Sequence, residues 1–295
     1  MSQALPPDHL ARVTAHFEAE AAWWSDLYED DSLPGLVFSR RRDVVLEWID
    51  GLALPAGVRA LEVGCGSGVL AVELARRRLK VDAIDVSPAL VDATRRRADA
   101  AGSADRLTVQ LGDVARLEFA DGTFRLVVAV AVIPWVASAP AALDEIARVL
   151  APGGVAVVSA VNRARIDVML DPRRNVRLLP LRRRVAAWLA SEGLRAWREY
   201  PMQYHGRAEF DRLLRSSGLE PVKSTTVGFG DFSFLGWRLP ERLARMLQLR
   251  LQSLADQDVP LLRHGGANYI VLVRSPSGAG STDQASRSAT RLQAT

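Results

Sequence analysis

The chain has 295 residues, a formal net charge of +4 and one cysteine, Cys65. This length is enough for one large domain with additions, and a single cysteine excludes an internal disulfide framework and favours a reducing, cytoplasmic setting. No run of eighteen apolar residues occurs, so we expect no membrane span. The basic residues are nearly all arginine, and we interpret the cluster at 182–184 as a solvated face, with anion binding left open.

The predicted elements fall into three groups along the chain. Residues 8–52 combine helical spacing with several aromatic side chains. From 58 to 161, short apolar strand candidates alternate with helical stretches, and Gly153-Gly154 separates the last helix from its strand. An arginine-rich helical stretch (162–200) precedes a helix closed by Gly218, and two strands with a helix between them follow.

These patterns predict an α/β fold, a doubly wound, mostly parallel seven-stranded sheet with helices on both faces. The chain divides into an N-terminal helical segment (1–52), an α/β core (53–163), a helical insertion (164–208), a part that completes the sheet (209–274) and a disordered polar tail (275–295).

Three carboxylates stand where the first three strands of the core end. Glu62 lies two residues before Gly64, Asp85 ends the second strand, and Asp113 follows the third. Because the carboxyl ends of parallel strands meet at one edge of the sheet, where ligands bind, we expect these acids to surround one ligand.

The glycine-rich turn at 64–68 distinguishes between ligands. Val69 stands where a dinucleotide-binding turn has its third glycine, and the Glu62 carboxylate would repel a pyrophosphate but suits a cation. Asp85, 85 − 64 = 21 residues beyond the first glycine, suits a ribose, and Asp113 suits an adenine amino group. The set favours a positively charged adenosine cofactor without phosphate. The alternative is that the glycines only form a tight turn and the acids only cap helices.

The stretches "LEVGCGSG", "AIDVS", "LGDV" and "RVLAPGG" resemble, in order, the motifs of Rossmann-like (class I) S-adenosylmethionine-dependent methyltransferases over residues 55–163. The resemblance implies S-adenosylmethionine as methyl donor and S-adenosylhomocysteine as product. It implies that the turn holds the methionine part, Asp85 the ribose, and Asp113 with Val114 the adenine. The implied cofactor-binding set is Glu62, Gly64, Cys65, Gly66, Gly68, Asp85, Val86, Asp113, Val114 and Ala129.

Two positions qualify this resemblance. The family often has an acid where Arg125 stands, but that position lies at a strand start, away from the methyl group. Cys65 could be a nucleophile, but we interpret it as a small neutral residue in a crowded turn.

The acceptor side is less well defined. Relatives that methylate exocyclic amines of nucleic-acid bases carry Asn or Asp where Ile133 stands, so the resemblance argues against nucleic acid as the substrate. Trp135, with Trp24 and Tyr28 of a helical lid over residues 1–52, could line the acceptor pocket or simply pack the core. His205 and Tyr204, which follow the substrate-side insertion, are candidate general bases, with a structural role as the alternative. The scattered histidines show no metal-ligand spacing, so we expect no metal.

The sequence therefore predicts a cytoplasmic methyltransferase acting on a small molecule, at oxygen, in bacterial secondary or cofactor metabolism. It resembles ubiquinone- and menaquinone-type methyltransferases and their antibiotic-tailoring relatives. The alternatives are an RNA or protein methyltransferase, a non-catalytic cofactor-binding or scaffold protein and an NAD(P)-dependent oxidoreductase. The oligomeric state, including a homodimer, stays open.

Overall fold

The computed structural model describes residues 8–28, 30–171, 202–230, 232–235 and 237–277, together with residues 175, 178, 180, 181, 184, 185, 188 and 191. Much of the predicted helical insertion lies outside these ranges, as do most of the predicted tail and two of the three clustered arginines at 182–184. The division of the chain into segments stays a prediction.

The strands form one large sheet and a short hairpin. In chain order they are β1 (Arg59–Val63), β2 (Lys80–Asp85), β3 (Leu107–Leu111), β4 (Phe124–Ala129), β5 (Leu150–Asn162), β6 (Tyr204–His205), β7 (Glu220–Val227), β8 (Ser233–Phe234), β9 (Trp237–Arg238) and β10 (Asn268–Arg274). The sheet order is β3-β2-β1-β4-β5-β10-β7, parallel through β5, with β10 antiparallel to both of its neighbours. The seven-stranded, mostly parallel sheet is thereby confirmed, and β6 adds a short parallel pairing at the end of β5.

Helices pack on both faces of this sheet. They are α1 (His9–Ala19), α2 (Ala21–Asp26), α3 (Leu33–Asp50), α4 (Val69–Arg76), α5 (Pro88–Ala100), α6 (Ala139–Val149), α7 (Ile166–Leu170), α8 (Arg207–Ser216) and α9 (Glu241–Asp256). Within the described ranges no helix combines the length and the apolar character needed to cross a membrane.

The central strand β4 shows why the strands are almost wholly apolar. Leu126 and Val128 are buried in the layer formed with α3, α4 and α5, whereas Val127 and Ala129 are buried in the opposite layer with α6 and α8. Because successive side chains point to opposite faces and both faces are covered, every position from 126 to 129 is apolar.

Serine caps fix where three of these helices begin. The side chains of Ser32, Ser87 and Ser138 accept hydrogen bonds from the first turns of α3, α5 and α6, and each is followed by a proline within two positions. Such a cap contributes about 1 kcal/mol, and the proline pre-sets the helical φ. Ser87 thus starts α5 two residues after Asp85 and fixes the loop that carries this acid.

Two local features differ from the sequence prediction. The glycines Gly153 and Gly154 do not separate α6 from its strand, because β5 already begins at Leu150; they lie inside β5, where its pairing with β4 shifts register. The hairpin of β8 and β9 was not predicted, since its two-residue strands are too short to show an alternating pattern.

Candidate functional site

The glycine turn between β1 and α4 adopts a backbone that favours glycine. Gly64, Gly66 and Gly68 have φ of +67°, +56° and +79°. A Cβ on Gly64 would lie 2.5 Å from Val132 Cγ2, and one on Gly68 2.7 Å from Thr94 Cγ2, whereas one on Gly66 would meet nothing within 4 Å. The outer glycines are therefore needed for packing, and Gly66 is open towards a cavity that it helps to line.

Asp85 closes this turn from the neighbouring strand. One carboxylate oxygen accepts the Gly66 N–H at 2.9 Å and the other accepts the Ser87 N–H at 3.0 Å. Burial raises the pKa of the Asp85 carboxyl above its usual value, and these backbone hydrogen bonds oppose that rise. The side chain lines the cavity, so its carboxylate lies where a ligand would bind.

Glu62 is a buried acid that forms no ion pair in the described part of the chain. It is 4% exposed, and its Oε2 atom has no hydrogen-bond partner among the described residues. Burial, and then the negative charge of Asp85, raise the pKa of the Glu62 carboxyl well above its usual value. An isolated buried carboxylate is costly, so this pair of acids suits a cationic group in the cavity they line.

Asp113 occupies the third position of this acidic edge. Its Oδ1 atom accepts the backbone N–H of Ala115 at 3.0 Å, which holds the loop after β3 in place. Asp113, Val114 and Val86 all line the cavity. The loops after β2 and β3 thus bring apolar and acidic side chains to its lining.

The helices at the N-terminus bring a cation and aromatic rings to the same cavity. Arg41 of α3 is 5% exposed, donates to the Tyr28 hydroxyl at 3.2 Å and lies 4.1 Å from the Phe38 ring centroid. It forms no ion pair with a carboxylate in the described part of the chain. The packing of α3 determines that Arg41, and not the adjacent Arg40 or Arg42, lines the cavity. A desolvated guanidinium without a carboxylate suits an anionic ligand group.

Aromatic and apolar side chains also line the cavity. Trp135 lies in a 3₁₀ turn after β4. Its ring packs edge-on against Phe17 and stacks on His16, with 5.0 and 5.2 Å between the ring centroids. Trp24 contacts Phe17 at 5.5 Å, and its indole nitrogen has no partner among the residues described. Trp24, Tyr28 and Trp135 all line the cavity, and their assignment to an acceptor pocket stays a prediction.

Comparisons with known proteins identify the family. A methyltransferase-domain family model matches residues 60–154. The ubiquinone biosynthesis O-methyltransferase of Xanthomonas axonopodis is 31% identical over 185 residues, 58% of this chain and 75% of that protein. That of Roseobacter denitrificans is 30% identical over 239 residues, 77% of this chain and 89% of that protein. This chain belongs to the class I S-adenosylmethionine-dependent methyltransferases of small-molecule type.

Solved structures show that the whole methyltransferase shares a known fold. A [4+2]-cyclase, SpnF, covers 94% of this chain and 98% of its own at a TM-score of 0.62 and 19% identity. Magnesium protoporphyrin IX methyltransferase from Synechocystis, with bound S-adenosylhomocysteine, covers 90% of this chain and 99% of its own at a TM-score of 0.60 and 14% identity. Family membership confirms the interpretation as an S-adenosylmethionine-dependent enzyme over that as an NAD(P)-dependent oxidoreductase or a non-catalytic protein.

The residues of this methyltransferase fit its cofactor. Among the described residues the buried Glu62 oxygen has no partner and Arg41 has no carboxylate, and Gly66 leaves room in the cavity that all three line. These three groups match the ammonium, the carboxylate and the bulk of a methionine moiety. Cys65 is buried, and burial raises the pKa of its thiol well above the usual value, which favours a small neutral residue over a nucleophile.

Several predicted residues lie elsewhere in the methyltransferase. Gly68 caps α4 behind the turn, and Ala129 is fully buried in β4, while the residues that follow it, Val130 to Val132, line the cavity. Tyr204 and His205 on β6 do not contribute to the cavity lining. The ring centroids of His205 and Phe210 lie 5.6 Å apart, and burial lowers the pKa of the His205 imidazole. Their assignment as general bases gains no support from this geometry.

Sequence reasoning missed one cavity histidine. His9 of α1 is 4% exposed and lines the cavity, and its Nε2 atom lies 2.7 Å from the Trp135 carbonyl oxygen. Its only sequence signal was its place in the helical N-terminal segment, which does not say that this helix packs against the turn after β4.

Proposed function

We propose that this methyltransferase transfers a methyl group to a hydroxyl oxygen of a small, largely apolar acceptor in bacterial secondary or cofactor metabolism. The observation that carries the proposal is one cavity lined by two unlike sets of side chains, acids and aromatic rings. We assign Glu62, Asp85 and Asp113 to an acidic end that holds the cofactor, and Phe17, Trp24 and Trp135 to an aromatic end that holds the acceptor. Two relatives that this chain matches over more than two thirds of their length are ubiquinone biosynthesis O-methyltransferases, which supports oxygen as the acceptor atom.

The acidic end suits each part of S-adenosylmethionine. Asp85 would accept from the ribose hydroxyls and Glu62 from the ammonium group, while Arg41 would pair with the carboxylate. Asp113 would accept from the adenine amino group, with Val86 and Val114 against the ring. The bound cofactor supplies an electrophilic methyl group, and S-adenosylhomocysteine is the product.

The aromatic end suits a planar apolar acceptor. Rings such as those of Trp24 and Trp135 pack against flat molecules and exclude water, which orients an acceptor and keeps competing water away from the methyl group. Trp24 also offers an unpartnered indole N–H, which could hold an acceptor oxygen. This combination favours phenol-like acceptors over an RNA or protein chain.

Some of the predictions from sequence remain proposals. Among the described residues no three His, Cys, Asp or Glu side chains are grouped as metal ligands, and metal-independent transfer stays an expectation that chelation by EDTA would test. The single cysteine is the argument for a cytoplasmic location. Whether the protein forms a homodimer stays an open question.

Transfer of an isotope-labelled methyl group tests the proposed acceptor class. The protein is incubated with methyl-labelled S-adenosylmethionine and, in separate reactions, with alkyl-substituted phenols and hydroquinones, total tRNA, or a protein extract. We expect label in a neutral, organic-extractable methyl ether. Label found only in RNA or in protein would contradict the proposal.

A further inference from the structure

His9 is held in one orientation at the acceptor end of the cavity. It is the first residue of α1 and lines the cavity with Leu10 and Val13 of the same helix. Its Nε2 atom lies 2.7 Å from the backbone carbonyl of Trp135, whose ring forms the acceptor wall. One contact therefore joins His9 to the residue that the acceptor would pack against.

This hydrogen bond selects the tautomer of the ring. A carbonyl oxygen only accepts hydrogen bonds, so Nε2 carries the proton. In the neutral imidazole Nδ1 is then a free lone pair. Nδ1 is buried and has no partner among the residues that the structure describes.

An unpartnered buried nitrogen is costly in a purely structural histidine, because buried polar groups are normally hydrogen-bonded. The other cavity-lining side chains of α1, Leu10, Val13 and Phe17, are apolar and cannot donate to it. The charged groups that share the cavity are Arg41, Glu62, Asp85 and Asp113. A donor on a bound ligand would supply the missing partner.

We propose that His9 Nδ1 accepts the proton of the acceptor hydroxyl during methyl transfer, an inference that rests on the proposed function. As the O–H proton passes to Nδ1, the oxygen forms a bond to the methyl carbon. The bond from that carbon to sulfur breaks, and its electron pair stays on sulfur, which gives the neutral thioether of S-adenosylhomocysteine. The imidazolium keeps its Nε2–H bond to Trp135 and later releases the added proton to solvent.

The kinetic test compares His9→Gln with wild type and with His264→Gln, a histidine outside the cavity. A glutamine amide can still donate to the Trp135 carbonyl but is no base. We expect kcat for an alkylphenol to fall about 10²–10⁴-fold in His9→Gln, with an unchanged affinity for S-adenosylhomocysteine, and to be unaffected in His264→Gln. A nitrophenol that is already ionised should restore most of the lost rate.

An equal loss of rate with the ionised nitrophenol would overturn the proposal, because a base would then not be what is missing. So would wild-type rate in His9→Gln.

Nitrogen NMR of the histidine rings gives a readout that does not depend on activity. The His9 signals, assigned by their absence in His9→Gln, should show a protonated Nε2 and an unprotonated Nδ1. Addition of 4-nitrophenol at a pH at which it keeps its proton should shift Nδ1. A protonated Nδ1 would overturn the proposal even if the enzyme methylates phenols, whereas a wild type that methylates no phenol would contradict the proposed function instead.

Discussion

Glu62 and Asp85 are two buried acids on neighbouring strands with different surroundings. Asp85 accepts two backbone N–H groups, so its charge is partly compensated by the protein itself. Glu62 has an oxygen without a partner among the described residues and a neighbouring negative charge. Glu62 therefore destabilises the ligand-free fold when it is ionised, and a bound cation would remove that cost.

Replacement of Glu62 by Gln should stabilise the free protein and weaken cofactor binding. Because the pKa of Glu62 is raised in the fold, its ionisation lowers stability as the pH rises above the usual glutamate value. At neutral pH we expect a higher melting temperature for Glu62→Gln than for wild type. We also expect binding of S-adenosylmethionine at least about tenfold weaker, since a charge-assisted bond contributes about 1.5–3 kcal/mol.

Calorimetry can test the same residue through protons. The bound ammonium favours the carboxylate, so wild type should release a proton on binding in mildly acidic buffer, and its affinity should rise with pH. Glu62→Gln should lose both effects, whereas the exposed Glu118→Gln should keep them. If Glu62→Gln releases as many protons on binding as wild type does, the released proton comes from another group.

At the residue scale, the sequence predicted that the three acids come together, because they follow strands at fixed positions in a recognisable motif, and all three line the cavity. His9 and Arg41 were not singled out, because they reach the cavity only through the packing of α1 and α3. No local spacing encodes that packing.

The strand–turn–helix unit of β1 and α4 contains two glycines that packing requires and one that is open to the cavity. All three have left-handed backbones, but only the Cβ positions of Gly64 and Gly68 are blocked by neighbouring side chains. The regular strands and helices of the fold were predictable, because apolar runs and helical spacing are local signals. The two-residue strands β8 and β9 and the early start of β5 were not, because they depend on pairing with distant segments.

Alanine at Gly64 and at Gly66 should therefore have different effects. Gly64→Ala adds backbone strain to a clash with Val132 and should cost about 2–4 kcal/mol of unfolding free energy. Gly66→Ala adds only the strain, about 1–2 kcal/mol, but places a methyl group in the cavity. Chemical denaturation should show the larger loss of unfolding free energy in Gly64→Ala. Titration with S-adenosylhomocysteine should show that the loss of binding free energy, divided by the loss of unfolding free energy, is larger in Gly66→Ala. The same ratio in both variants would argue against a Gly66 that is open to the ligand.

The whole molecule combines a common fold with an individual acceptor end. A [4+2]-cyclase and a porphyrin methyltransferase superpose on most of the chain, so the fold alone does not name the reaction. The fold class and the donor could be predicted because they rest on the sheet and its edge. The acceptor could not, because the pocket that we propose for it is assembled from α1, α2 and the turn after β4, whose mutual packing is a property of the complete structure.

Titration calorimetry on Asp85 variants tests the central claim that the acidic end holds the adenosine cofactor. S-adenosylhomocysteine should bind wild type and the exposed Asp92→Ala with the same affinity. It should bind Asp85→Ala about hundredfold more weakly, because two charge-assisted hydrogen bonds to the ribose are lost. Asp85→Asn keeps the shape of the side chain and should fall between them. Undiminished binding in Asp85→Ala would contradict the account.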